Sequence, residues 1–411
     1  MSSLREKLAR LTSQGPARTP VVQGSFGFLP PTQTPHGPLQ LVERTHGPGF
    51  VQGTVRVGAA RVAQAATIAA LALDATLADV DPARMLMVDT ETTGLQGGAG
   101  TLPWVIGLSW FEGEALVVRQ LFLGRPGGEA PLLRMLAEKV EQASVLVTFN
   151  GKCFDWPLLR TRFVLNRIPV PPPRPHLDLL HCARRVFKRR LGATRLQDLE
   201  AAVLGFHRTG DISGAEIPAV YFDWLRSGRS SEVERVLEHN AQDLVSMAAI
   251  LAELCRRFEG LEPADAAEDC LSLARVAVRC EHEGRVELFA LAAVERSGSP
   301  QVSFEALVLL AQRAGRRKDW VSAAERLERA AALPCLASLS LATAHLLLAK
   351  VAEHGLKDLP RALRHARLGS LAEEPLASAK RLSRLGRRLD SSGLRNNVVQ
   401  AAHVVSPGLR L

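Results

Sequence analysis

The spacing of hydrophobic positions divides this chain into three parts. Residues 1 to 80 begin polar and rich in proline and glycine, as in "FGFLPPTQTPHGP". A strand pair is then predicted around Leu39 to Arg56, and an alanine-rich helix from Val62 to Ala78. Leu4, Leu8 and Leu11, set between charges, predict a short amphipathic helix ahead of them. From 81 to 258, apolar runs of strand length alternate with helical periods. Met85 to Val88, Trp104 to Trp110 and Val145 to Phe149 read as strands, whereas Val236 to Met247 repeats with the period of a helix. After Glu262-Pro263 the chain turns to helices rich in Ala and Leu. Approximate helix pairs surround Gly284, Gly315 and Gly355, and "RKDWVSAAERLERAAAL" resembles "LKDLPRALRHARLGSLA" 39 residues later. That pattern predicts stacked helix pairs over 262–395, with a non-repeating helical bundle as the alternative.

Acidic residues stand where these elements end. Asp89 and Glu91 follow the apolar run Met85 to Val88, and side chains alternate along a strand, so both project from one face. The strand Val145 to Phe149 breaks at Asn150-Gly151, and Asp155 then opens a helix whose first turn holds Pro157. His239 and Asp243, four residues apart, share a helix face. Each has a plainer reading: Asp89 as a solvated loop residue, Asp155 as a helix cap, Asp243 as a surface salt-bridge partner, and His239 as a hydrogen-bonding or exposed residue. A further acid, Asp178, reads mainly as a structural hydrogen-bond acceptor.

Taken together, the residue types point to one chemistry. Phosphodiester hydrolysis needs charge neutralisation, a water made nucleophilic near neutral pH, and a stabilised leaving oxygen. Two divalent cations about 4 Å apart supply all three. Hard ions such as Mg²⁺ or Mn²⁺ select oxygen ligands. An imidazole titrates close enough to neutrality to orient or deprotonate the water.

The segments around Asp89-Thr-Glu91, "NGKCFD" ending at Asp155, and "HNAQD" ending at Asp243 resemble the three motifs of the DEDD superfamily of 3′-to-5′ exonucleases. Together with "ETTGLQGGAGTLPWVIGLSWFEGE" and "HLDLLHCARRVFKRRLG", they look most like its YprB-type branch. The resemblance covers roughly 81 to 258. It implies an α/β ribonuclease H-like domain, a mixed sheet flanked by helices; the all-α region that follows resembles, by its own helix pairs and 39-residue offset, degenerate tetratricopeptide repeats. It further implies two Mg²⁺ or Mn²⁺ ions on Asp89, Glu91, Asp155 and Asp243, His239 as the water-activating base, and removal of nucleotides from a 3′ end. One departure stands out. The superfamily places a histidine five residues before its last aspartate or a tyrosine four before it; here Glu238 holds the first position and His239 the second.

Residues beside these motifs are candidate nucleic-acid contacts. Thr92 and Leu95 follow the first motif, where the resemblance implies backbone and apolar contacts to a terminal nucleotide. Asn150 and Lys152 lie in the second turn, within reach of phosphate oxygens. All four also suit turn geometry alone. The loop Gly97-Gly98-Ala99-Gly100 lacks the lysine and hydroxyl residue of a nucleotide-binding P-loop. "PVPPPRP" at 169–175 predicts a stiff surface loop, either a guide for a strand or a spacer.

Charge favours a polyanionic partner. With 51 Lys plus Arg against 42 Asp plus Glu, the net charge is +9. The densest basic cluster is Arg184, Arg185, Lys188, Arg189, Arg190 and Arg195; a second is Lys380, Arg381, Arg384, Arg387 and Arg388. Solvated helix faces are the plainer reading of both. Aromatic residues form only 5% of the chain, which argues against an extended stacking platform. Six cysteines without a Cys-x-x-Cys pair indicate neither zinc nor a disulfide framework, and suggest a reducing cytoplasm. No membrane segment is expected. The helical region suits a protein partner. Two rivals to an exonuclease remain: a structure-selective endonuclease, and a non-catalytic nucleic-acid-binding scaffold.

Overall fold

The computed structural model describes residues 29–94 and 100–391. The expected N-terminal helix around Leu4 to Leu11, Leu95, and all but the last residue of the glycine-rich loop lie outside the described residues. The described residues up to Glu262 belong to one compact unit and those from Pro263 to a second.

The first unit is built on a seven-stranded mixed sheet. Its strands are β1 (Thr32–Thr34), β2 (Gly37–His46), β5 (Met85–Thr92), β6 (Pro103–Glu112), β7 (Ala115–Phe122), β8 (Val145–Thr148) and β9 (His176–Asp178), arranged in the order β1-β2-β7-β6-β5-β8-β9. Antiparallel pairing runs from β1 to β5, while β5-β8 and β8-β9 are parallel. β5 lies inside the sheet, with Met85 to Val88 buried. That explains an unbroken apolar run rather than an alternating one.

The expected strand pair over Leu39 to Arg56 is corrected. β2 pairs with β7, from Gln40 opposite Phe122 to His46 opposite Leu116, and so lengthens the central sheet. A separate hairpin of β3 (Val51–Gln52) and β4 (Val55–Arg56) follows. The alanine-rich helix is also shorter than expected. α1 (Ala65–Ala72) stops at Leu73, which takes a left-handed φ of 56°, and Asp74 caps a tight turn over Ala75–Leu77.

The sheet is covered by α2 (Ala130–Gln142), α3 (Asp155–Leu165), α4 (Leu179–Leu191), α6 (Ile217–Ser227) and the 29-residue α7 (Ser231–Glu259), while the single turn α5 (Leu196–Leu199) packs on α7. α7 packs on β5, β6 and β7, and later on α4. Beneath α6 an aromatic cluster closes the core: Trp104 stacks on Tyr221 at 5.2 Å and Phe122 meets Trp224 edge-on at 4.9 Å. Tyr221 is the chain's only tyrosine, and its hydroxyl donates to the Leu123 carbonyl at 3.1 Å. It is therefore committed to the core. The proline-rich stretch is tied down rather than free, since Arg174 donates to the carbonyls of Val140 and Glu141 at the end of α2.

The second unit contains α8 (Ala267–Arg279), α9 (Glu283–Arg296), α10 (Pro300–Arg316), α11 (Trp320–Ala331), α12 (Ser338–Val351), α13 (Leu359–Leu368) and α14 (Pro375–Ser391), each packed on the next. The 39-residue similarity has a structural counterpart. Lys318 and Lys357 both adopt left-handed φ, and the following Asp319 and Asp358 cap α11 and α13 by accepting from the backbone three residues on. Gly355 is obligatory for packing, because a Cβ there would lie 2.4 Å from the Trp320 ring.

Candidate active site at the end of the central strand

The last residues of β5, the first of α3 and the middle of α7 supply the titratable groups that face one another. Glu91 is buried and Asp89 half-buried. Burial, followed by the charges of Asp243, Glu91 and Asp155, holds the Asp89 carboxyl well above the usual carboxylate range. Burial also raises Glu91 to about 8; the Asp243 and Asp155 charges add to this and His239 opposes it. Asp155 is raised to about 6 by burial, against the hydrogen bond it accepts from Thr90. These mutual effects require the four carboxylates to share one electrostatic neighbourhood.

Three of the four are engaged by a protein donor. Asn240 Nδ2 donates to Asp89 Oδ2 at 2.7 Å, Thr90 Oγ1 donates to Asp155, and Arg208 donates to Asp243. Asn240 is fully buried and accepts in turn from Gln120 Nε2 on β7 at 2.9 Å. Room for it exists only because residue 107 on β6 is glycine, where a Cβ would lie 2.2 Å from the Asn240 carbonyl oxygen. Thus three strands and one helix set the position of Asp89.

His239 faces Asp243 with its Nε2 3.7 Å from Oδ2, while its Nδ1 lies 2.7 Å from Asp211 Oδ1. Burial opposes its protonation, but Asp243, Glu91 and Asp211 outweigh that and raise its pKa. Glu238 turns elsewhere and pairs with Arg44 at 2.5 Å on an exposed surface. Of the two adjacent positions, His239 is the one directed toward the acids.

The donor set suits hard divalent cations: four carboxylates, with mutual repulsion that a cation relieves. Among the described residues no three His, Cys, Asp or Glu side chains converge as a ready-made ligand group. Holding an ion therefore requires some of these carboxylates to turn from their present donors.

The flanking residues separate into different roles. Asp178 accepts from the backbone N–H groups of Asn150, Lys152 and Leu180, which fixes the 150–152 turn and caps α4. Asn150 sits at a left-handed φ of 70°, which asparagine tolerates. Lys152 is exposed, with Nζ 3.9 Å from Asp74. Thr92 Oγ1 donates to the Gly94 carbonyl, a turn contact. On α4, Arg184, Lys188 and Arg189 are exposed, whereas Arg185 is half-buried and donates to the Leu71 carbonyl, and Arg190 lies 6.0 Å over the Phe187 ring. Arg195 pairs with Asp198. The C-terminal basic cluster is largely internal pairing: Arg381, Arg384 and Arg388 converge on the buried Glu353.

Four residues escaped the sequence reading: Asn240, Thr90, Arg208 and Asp211. Asn240 lies inside the third motif and Thr90 inside the first, so proximity to the ligating candidates was their only signal. Arg208 and Asp211, in the loop between α5 and α6, had none. Phe154 is 54% exposed immediately before Asp155.

Comparison with known proteins agrees with this architecture. Residues 86–255 match the RNase H superfamily. Over 304 residues the chain is 31% identical to the uncharacterized protein YprB of Bacillus subtilis (strain 168), an alignment spanning 73% of this chain and 70% of that one. Sheet order, domain match and identity over most of both chains agree: the chain belongs to the YprB family and carries an RNase H superfamily domain.

Proposed function

We propose that this chain is a metal-dependent nuclease that removes nucleotides from 3′ ends of DNA or RNA, leaving 5′-monophosphates. The observation that carries this reading is the mutual electrostatic influence of Asp89, Glu91, Asp155 and Asp243, with His239 beside them. Two Mg²⁺ or Mn²⁺ ions, when bound, would neutralise charge on the phosphate and lower the pKa of the attacking water. Asp89, Glu91, Asp155 and Asp243 would hold them through carboxylate oxygens. His239, with Nδ1 turned to Asp211, would use Nε2 to orient the water and accept its proton.

Asn240 and Thr90 would keep Asp89 and Asp155 aimed. The exposed Phe154 ring offers a face on which a base can stack, and Asn150, Lys152, Arg184, Lys188 and Arg189 would meet phosphates. Exonuclease polarity comes from the likeness of the three motifs to DEDD enzymes; a role for the second unit in binding protein comes from its tetratricopeptide-like helix pairs. No helix among the described residues is long and apolar enough to cross a membrane.

The test is hydrolysis of single-stranded and duplex DNA and RNA, labelled separately at each end, with Mg²⁺ or Mn²⁺. Stepwise shortening from the 3′ end is expected, and Asp89→Ala should lower the rate at least about 10³-fold, roughly 4 kcal/mol in barrier. Immediate release of long internal fragments would make the protein an endonuclease. Equal inactivity of wild type and variant would leave a binding scaffold.

A further inference from the structure

Arg208 is 5% exposed, and it is surrounded by acids from three segments. Its Nε lies 2.7 Å from Glu200 Oε2 and its Nη2 2.5 Å from Glu200 Oε1, a two-pronged grip on a carboxylate that is itself 1% exposed. Nη2 also donates to Asp243 Oδ1, and Nη1 lies 3.3 Å from Asp211 Oδ2. One planar cation thus connects a buried anchor to one of the four acids and to the carboxylate that touches His239. A guanidinium can do this because its donors are fixed in a fork; a lysine ammonium is a point charge on a flexible stem.

The contacts divide labour between atoms. Asp243 gives Oδ1 to Arg208, which leaves Oδ2 turned toward His239 Nε2. His239 Nδ1 has two neighbours, Asp211 Oδ1 at 2.7 Å and Arg208 Nη1 at 3.3 Å. The carboxylate is nearer and can only accept, which in the neutral ring assigns the hydrogen to Nδ1 and leaves Nε2 with its lone pair.

The anchor is held from outside the loop as well. The backbone turn after Glu200 ends at Leu204, whose carbonyl accepts from Thr54 N at 2.9 Å in the N-terminal hairpin. Gly53 makes that approach possible, since a Cβ there would lie 2.0 Å from the same oxygen.

Building on the nuclease reading, we infer that Arg208 is a positioning residue for the site: anchored on Glu200, it presents one oxygen of Asp243 to a divalent cation and, with Asp211, fixes the ring of His239.

The test uses the full chain with Arg208→Lys, Asp211→Ala and Asp211→Asn. A Glu200→Gln/Arg208→Gln double variant is added so that the buried Glu200 is not left without its cation should the lysine variant fold poorly. Mn²⁺ binding without nucleic acid is measured by calorimetry, and kcat and KM on a labelled oligonucleotide. Arg208→Lys and the double variant should lose about 10- to 100-fold in Mn²⁺ affinity and in kcat, the usual cost of removing a ligand's supporting partner. KM should stay within about threefold. Asp211→Ala should lower kcat about tenfold while Mn²⁺ affinity is kept, and Asp211→Asn, whose amide oxygen still accepts from Nδ1–H, should recover most of that loss. Wild-type Mn²⁺ affinity and kcat in both Arg208 variants, with only a lower melting temperature, would overturn the inference and leave the nuclease reading standing. A wild type that neither binds Mn²⁺ nor cleaves would overturn both.

Discussion

Two groups of buried acid in this molecule meet opposite fates. In the helical unit, Glu353 is 1% exposed, yet its pKa lies below the usual value. Burial alone would raise it, but hydrogen bonding and charge from Arg384, joined by His354 and Arg388, outweigh the cost. In the α/β unit, Asp89 and Glu91 are raised by burial and by neighbouring carboxylates, Asp243 and Asp155 acting on both, with His239 opposing the shift at Glu91. Burial is common to both; the supply of positive charge differs. A carboxylate surrounded by arginines is finished as structure. A group of carboxylates that repel one another has stored a demand for cations, which is a property of a functional site rather than of a stable core.

That comparison can be broken by substitution. Glu353→Ala should destabilise the helical unit by about 2 to 3 kcal/mol, at the low end for a broken buried pair because Arg384 and Arg388 are partly exposed. Asp89→Asn should do the reverse in metal-free protein and raise the melting temperature, since it removes repulsion while still accepting from Asn240. Thermal unfolding of both variants with a chelator present checks the opposite signs. Two losses of similar size would erase the distinction.

A smaller effect comes from the support beneath Asp89. Gly107→Ala would push its methyl into the Asn240 amide, at a cost of about 1 to 3 kcal/mol for an overpacked core. Hydrolysis should also fall, because Asp89 loses its 2.7 Å donor. Urea unfolding and an activity assay on the same preparation separate the two consequences.

The smallest expected effect is a pH drift. Glu91 and Asp155 have folded-state pKa values raised to about 8 and about 6. The folded state therefore holds protons that the unfolded state releases. The stability this contributes is fully present below the unfolded carboxylate range and is lost as pH rises through the raised values. Metal-free protein should melt progressively lower from about pH 5 to about pH 8. Saturating Mn²⁺ should flatten the slope, because cation binding favours the ionised carboxylates. Glu91→Gln should flatten the upper part without metal.

Much of this was legible in the chain because local rules wrote it there. Alternation along β5 put Asp89 and Glu91 on one side, and a spacing of four put His239 and Asp243 on one face of α7. The apolar runs of β5 and β8 announced buried strands, and the resemblance carried by the three motifs named the fold. The alanine-rich stretch was less legible, because the left-handed Leu73 that ends α1 has no glycine to mark it.

What the tertiary structure alone decided involves partners far apart in the chain. Asn240 reaches Asp89 across 151 residues, Arg208 reaches Asp243 across 35, and Thr54 reaches Leu204 across 150. No periodicity encodes such pairs, since hydrogen-bond partners are chosen by packing once the elements have docked. The same holds for the basic clusters. Sequence counted their charges, but only the folded chain divided arginines that brace the interior, such as Arg185 and Arg384, from those left exposed to solvent, such as Arg184.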